Sequence, residues 1–115
     1  MSFTDNLKHL PGISHLAALQ LQDRQGGVLA VIENKAAQSG SLAVFNHLAQ
    51  TYGAITAEAA RKGLEIYAEQ AEEARQHPGR HPNIDRLLAL AAEGGLLRVK
   101  HIFVGDTAEQ HSPPA

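Results

Sequence analysis

A chain of 115 residues and 12.3 kDa has room for one domain with a single modest core, and 43% hydrophobic with 19% charged residues is the balance of an ordinary globular protein. Cysteine is absent, which removes disulfides, thiol nucleophiles, thiolate zinc sites and iron–sulfur clusters together. A net charge of −2 and five aromatic residues without Trp offer nucleic acid neither a basic stripe nor a stacking platform.

No apolar run approaches the roughly 20 residues of a membrane helix, and residues 1–6 show neither the basic start nor the apolar stretch of a secretory signal. A cytoplasmic location is expected, with no nucleic acid and no membrane as partner.

Along the chain, Phe3, Leu7 and Leu10, with Thr4 or Asp5 as cap, predict a short helix ending at Pro11-Gly12. Residues 15–22 alternate, with Ala17, Leu19 and Leu21 against Gln20 and Gln22, and residues 28–33 form a second strand. Asp23-Arg24-Gln25-Gly26-Gly27 between them supplies the glycines of a β-hairpin turn. Ser41 is the predicted cap of a helix carrying Leu42, Phe45, Leu48, Ala49 and Tyr52, closed by Gly53.

Thr56 caps the longest pattern, in which Ala57, Ala60, Leu64, Tyr67, Ala71 and Ala74 keep a three-four spacing until Pro78. This narrow stripe of small residues suits close helix packing within the chain and a dimer seam equally. Asn83 is the predicted cap of a last helix from Ile84 to about Glu93, stopped by Gly94-Gly95, and residues 96–104 alternate as a third strand.

The fold class is therefore α+β, in the order α-β-β-α-α-α-β. A three-stranded antiparallel or mixed sheet, made of the hairpin and the C-terminal strand, packs on three to four helices. Residues 1–104 form the single domain, and the polar residues 105–115 are expected to be a mobile tail.

Polar chemistry is densest at residues 77–86, where two histidines, two arginines and an aspartate sit between Pro78 and Pro82 at a helix junction. An anion-binding reading uses the unpaired amides at the start of the last helix with Arg80, His81 and Arg86. Asp85 argues against it, because a carboxylate in the first turn already complements the helix dipole and repels a second anion. In the bland reading Asn83 caps, Asp85 pairs with an arginine and the prolines fix the bend.

His77, His81 and Asp85 are spaced by four, but two prolines and a glycine interrupt the helix on which that spacing would converge, so no metal is expected. Ser39-Gly40-Ser41 before a helix can bind an anion, although a turn with an N-cap is the commoner use of such a sequence. Glu33 and Asn34 close the second strand, where site loops often begin, and Glu33 with His81 would make an acid–base pair if they met. No nucleophile elbow, Walker loop, zinc-protease motif or dinucleotide fingerprint is present, and no cofactor is expected.

Taken together, Ser39-Gly40-Ser41-Leu42-Ala43-Val44-Phe45-Asn46, Gly63-Leu64-Glu65-Ile66-Tyr67-Ala68-Glu69 and Pro78-Gly79-Arg80-His81-Pro82-Asn83-Ile84-Asp85-Arg86-Leu87-Leu88 resemble a small proteobacterial family catalogued as a domain of unknown function. The resemblance covers nearly all of the chain before the tail. It implies a bacterial cytoplasmic origin and supplies no activity, cofactor or site residue.

Two functions follow as expectations. The first is a noncatalytic interaction module in which an apolar face, suggested by the alanine stripe, pairs two copies into a homodimer or docks a protein partner. The second is a small anionic-ligand-binding protein, or a minor enzyme, with Arg80, His81, Asn83, Asp85 and Arg86 at the junction and Glu33 and Asn34 nearby.

Overall fold

In the computed structural model, which describes residues 1–105, strand β1 (Leu16–Gln22) buries Leu19 and Leu21 completely and turns Gln20 and Gln22 to the opposite face. From Leu19 onward that period of two is what the alternating sequence dictates; Ala17, predicted on the side of Leu19 and Leu21, is exposed instead, because the ladder shifts register between Leu16 and Ala18. On one side β1 pairs with β2 (Val28–Glu33), on the other with β4 (Leu96–Phe103), and β4 pairs with the two-residue β3 (Ile55–Thr56). The sheet is antiparallel throughout, in the order β2-β1-β4-β3. Leu19 stands between Ile32 and His101, and Ile55 faces Leu97, so these side chains share the covered face.

The hairpin turn is built by Asp23, whose Oδ1 accepts the amides of Gln25 and Gly27 at 2.9 and 2.8 Å while Gly26 takes a φ of 89°. The helices are α1 (Phe3–Leu7), α2 (Ser39–Tyr52), α3 (Ala57–Tyr67), α4 (Glu69–Gln76) and α5 (Pro82–Glu93). The α+β class stands as expected, with four strands where three were predicted. The added strand, β3, is the pair Ile55-Thr56, too short to show a period in the sequence. The predicted tail lies, from residue 106 onward, outside the described residues.

The stripe predicted as one helix is two. Ala68, at φ 55° and ψ −120°, breaks it between α3 and α4. Alanine is the best of helix formers, so nothing local announces the break; tertiary contacts impose it. On its two sides Tyr67 stacks on Phe3, with ring centroids 5.0 Å apart, and the Glu69 carboxylate accepts the Phe3 amide at 2.9 Å. Helix α1 is thus pinned across the break, and Asn6 adds a bond from its Nδ2 to the Ile66 carbonyl. Ala60, Ala71 and Ala74 are buried inside the chain, which makes the stripe intramolecular core.

His101 lies on the covered face of β4, its Nε2 3.0 Å from Oδ1 of the fully buried Asn46. Phe103 stacks on both His101 and His15. Burial first, and the nearby His15 second, hold the His101 imidazole below its ordinary pKa.

Two predictions follow from these strained and buried groups. Ala68→Gly removes the penalty of a side chain at positive φ and is expected to raise the unfolding free energy by about 1 kcal/mol, read by urea denaturation. Because unfolded chains bind a proton at His101 more readily than the folded one, its contribution is present above the unfolded imidazole pKa of about 6.5 and is lost as pH falls toward the lower folded value. Unfolding free energy should therefore decline from about pH 7.5 to about pH 5, and His101→Gln should flatten part of that slope; parallel pH curves for the two proteins would refute it.

Candidate functional site

Two helices begin at one cavity of about 720 Å³. Helix α2 starts at Ser39 after Gln38, and Leu42 is its first residue to enter the ladder, donating to the Gln38 carbonyl at 2.9 Å. Helix α5 starts at Pro82 after His81, and its first ladder bond runs from Asp85 to the His81 carbonyl, also at 2.9 Å. The amides of Gly40 and Ser41 in one, and of Asn83 and Ile84 in the other, precede those ladders. No side chain caps either helix. All four residues line the cavity, so the positive ends of two macrodipoles meet there.

The predicted caps are thereby corrected. Ser41 lies inside the first turn of α2, where its Oγ accepts the Tyr67 hydroxyl at 2.6 Å. Asn83 stands second in α5, behind a proline that has no N–H to lose, and its Oδ1 accepts from Arg86 at 3.4 Å.

Of the seven residues singled out from sequence, Arg80, His81, Asn83 and Arg86 line the cavity. Arg80 is shared with Glu73, its Nη1 2.7 Å from the carboxylate. Arg86 bonds only to neutral oxygens, the Pro82 carbonyl and Asn83 Oδ1, and no carboxylate among the described residues pairs with it. His81 leaves its Nε2 shielded from solvent and without a hydrogen-bond partner.

Asp85, Glu33 and Asn34 do not line the cavity. The Asp85 carboxylate accepts the Gly79 amide at 2.9 Å, so it braces the junction loop and pairs with no arginine. Glu33 forms an ion pair with Lys35 at 3.1 Å, and its amide donates to Gln38 Oε1. Asn34 donates from Nδ2 to the carbonyls of Ile13 and Leu16, tying the start of β1 to the end of β2. His77 stands with its Nε2 3.8 Å from the Glu73 carboxylate.

Ser39-Gly40-Ser41 and the 77–86 junction, separate candidates for an anion in the sequence, lie on one wall of the cavity. Phe3, Leu7, Val31, Tyr67 and Gln70 also line that wall, and none carries a signal that would have joined them to it. Gly40 is where α1 closes against α2: a Cβ there would lie 3.1 Å from Phe3 Cζ.

Residues 3–101 match the family described as an uncharacterized protein conserved in bacteria, DUF2322. The chain belongs to this family. No curated protein and no solved structure shows significant similarity to it. The family description names no activity, so the chemistry of the cavity rests on its geometry.

That geometry assigns Tyr67 a fixed role. Burial pushes its phenol well above the ordinary value, outweighing the opposite effect of the Ser41 bond, so the hydroxyl stays protonated and acts as a donor. With its proton on Ser41 Oγ, the serine hydrogen is left to point elsewhere. Tyr67→Phe should cost about 1 kcal/mol of stability in denaturant titration with far-ultraviolet dichroism unchanged; a silent substitution would show the bond contributes nothing.

Proposed function

We propose that this chain is a small-ligand-binding protein that holds an anionic group where α2 and α5 begin. One observation carries the reading: of the residues lining the cavity none is Asp or Glu, while Arg80 and Arg86 both are present. In a protein with more acidic than basic residues, a large cavity without a carboxylate, fed by two uncapped helix starts, favours negative charge. Arg86 supplies a guanidinium that no internal ion pair consumes, and Gly40, Ser41, Asn83 and Ile84 supply amides. Among the described residues no helix is long and apolar enough to cross a membrane; the family is conserved in bacteria, and we include a bacterial cytoplasmic setting in the proposal.

The interaction-module reading keeps one support, on a different surface from the alanine stripe. Strand β2 is an edge, and Val28, Leu29 and Val31 along it are each about half exposed. Such an edge can accept another strand. Light scattering at high concentration tests it: a dimer that Leu29→Lys dissociates supports the module, and a monomer at every concentration removes it.

For the anion site the test is thermal unfolding with inorganic phosphate against chloride at equal ionic strength. Phosphate at about ten times its dissociation constant should add about 1.4 kcal/mol, a rise of several degrees for a domain of this size. Arg86→Ala should abolish most of that rise while leaving the unliganded midpoint within a degree or two, since the side chain is surface-bonded. Equal midpoints in phosphate and chloride would remove the proposal.

A further inference from the structure

A second cavity, of about 240 Å³, opens between Leu29 of β2 and one side of α5, with Leu97 of β4 also in its wall. Cavities for small-molecule ligands run to about 300–1,000 Å³, so this one falls below their range and has the size of one or two side chains. Ala89, Leu90 and Leu97 give it apolar walls, and Leu29 beside them is 54% exposed. The register shift between Leu21 and Gln22 leaves Leu29 without a partner in the ladder.

Strand β2 has a neighbour on one side only. The Asn34 amide donates inward to the Ala17 carbonyl, while the Glu33 amide donates to Gln38 Oε1. Backbone groups alternate in direction along a strand, so the N–H and C=O of Val31 point to the open side, where no strand takes them. A free backbone edge next to a side-chain-sized apolar cavity is the arrangement by which an added strand is both held and selected.

Charge says which strand fits. Arg86 and Glu93 both line the cavity, two turns apart on α5, which is about 10 Å by the rise of a helix. Neither has an ion-pair partner among the described residues. A second copy of the chain answers neither of them, because β2 carries one charged residue, Glu33, and Lys35 holds it at 3.1 Å.

We propose that the β2 edge and the cavity beside it bind an extended segment of another protein, which adds a strand to β2, sets one apolar side chain in the cavity and flanks it with an acidic residue toward Arg86 and a basic residue toward Glu93. Side chains at alternate positions share one face of a strand, and three of them span about 13 Å, which the long Arg and Glu side chains can meet. The site lies apart from the cavity where α2 and α5 begin, with Arg86 alone common to both, so it stands or falls independently of the anion reading.

Fluorescence anisotropy of the labelled peptide Val-Asp-Thr-Leu-Thr-Lys-Val tests this, beside one peptide with Asp and Lys exchanged and versions of both with Ser in place of Leu. One charge order should bind about fivefold or more tighter than the other, and the Ser version of that peptide should lose about tenfold in affinity. Ala89→Gln, at an exposed helix position, should remove most of the leucine advantage with far-ultraviolet dichroism unchanged. Arg86→Glu combined with Glu93→Arg should invert the preferred charge order. Equal affinity for the two charge orders, or for leucine and serine, would overturn the proposal, as would failure of every peptide to bind. A dimer that Leu29→Lys dissociates would assign the edge to a second copy and overturn it as well. Phosphate-induced stabilisation of the unmodified chain is unaffected by any of these results.

Discussion

Everything at the cavity depends on how closely three helices meet at Gly63. A Cβ built on that residue of α3 would stand 2.8 Å from Leu48 Cδ1 of α2 and 2.8 Å from Leu87 Cδ1 of α5. Both leucines are fully buried, so α2 and α5 are locked to opposite contacts of one backbone position. Fixing the two helices there fixes their first turns relative to each other several residues away. Two N-termini on one cavity are the outcome of that packing, since α2 and α5 lie far apart in sequence and share no local motif.

The helix break at Ala68 serves the same arrangement. A continuous helix from 57 to 76 would keep the apolar stripe in phase, and the sequence has every local reason to form one. Instead the chain accepts a positive φ on alanine, a cost of order 1–3 kcal/mol. In exchange Tyr67 reaches Ser41, Gln70 joins the cavity wall, and Glu69 receives the amide that starts α1. The strain is thus set beside the wall that Tyr67 and Gln70 line.

Patterns of period two and three-four located β1, β2, β4 and most of α2, α3 and α5, because each buries one face and hydrophobic spacing records that directly. The break at Ala68, the pair Ile55-Thr56 and the placing of Gln38 and His81 just before α2 and α5 were illegible for a common reason: none carries a periodic or capping signal of its own. For the site, the junction arginines and histidine were visible as a dense cluster, and Ser39-Gly40-Ser41 as a helix start. Their meeting was not, nor was the removal of Asp85 to the Gly79 amide, because a carboxylate within reach of its own loop can serve as loop brace or as ion-pair partner with the same sequence.

Net charge says little about such a place. Summed over the chain, carboxylates outnumber cations, which is a sound argument against a polyanion that must lie along a whole surface. A ligand of cavity size feels only the nearest charges, since ions farther than about 8–10 Å are screened at physiological salt while those around a recessed site are screened less. Here Glu73 neutralises Arg80 from outside the wall, Asp85 faces the loop, Glu33 is taken by Lys35, and Arg86 with the two helix starts remains uncompensated. Local charge is therefore made by where the acids are withdrawn, and a chain can be acidic overall while the lining of a cavity carries no carboxylate.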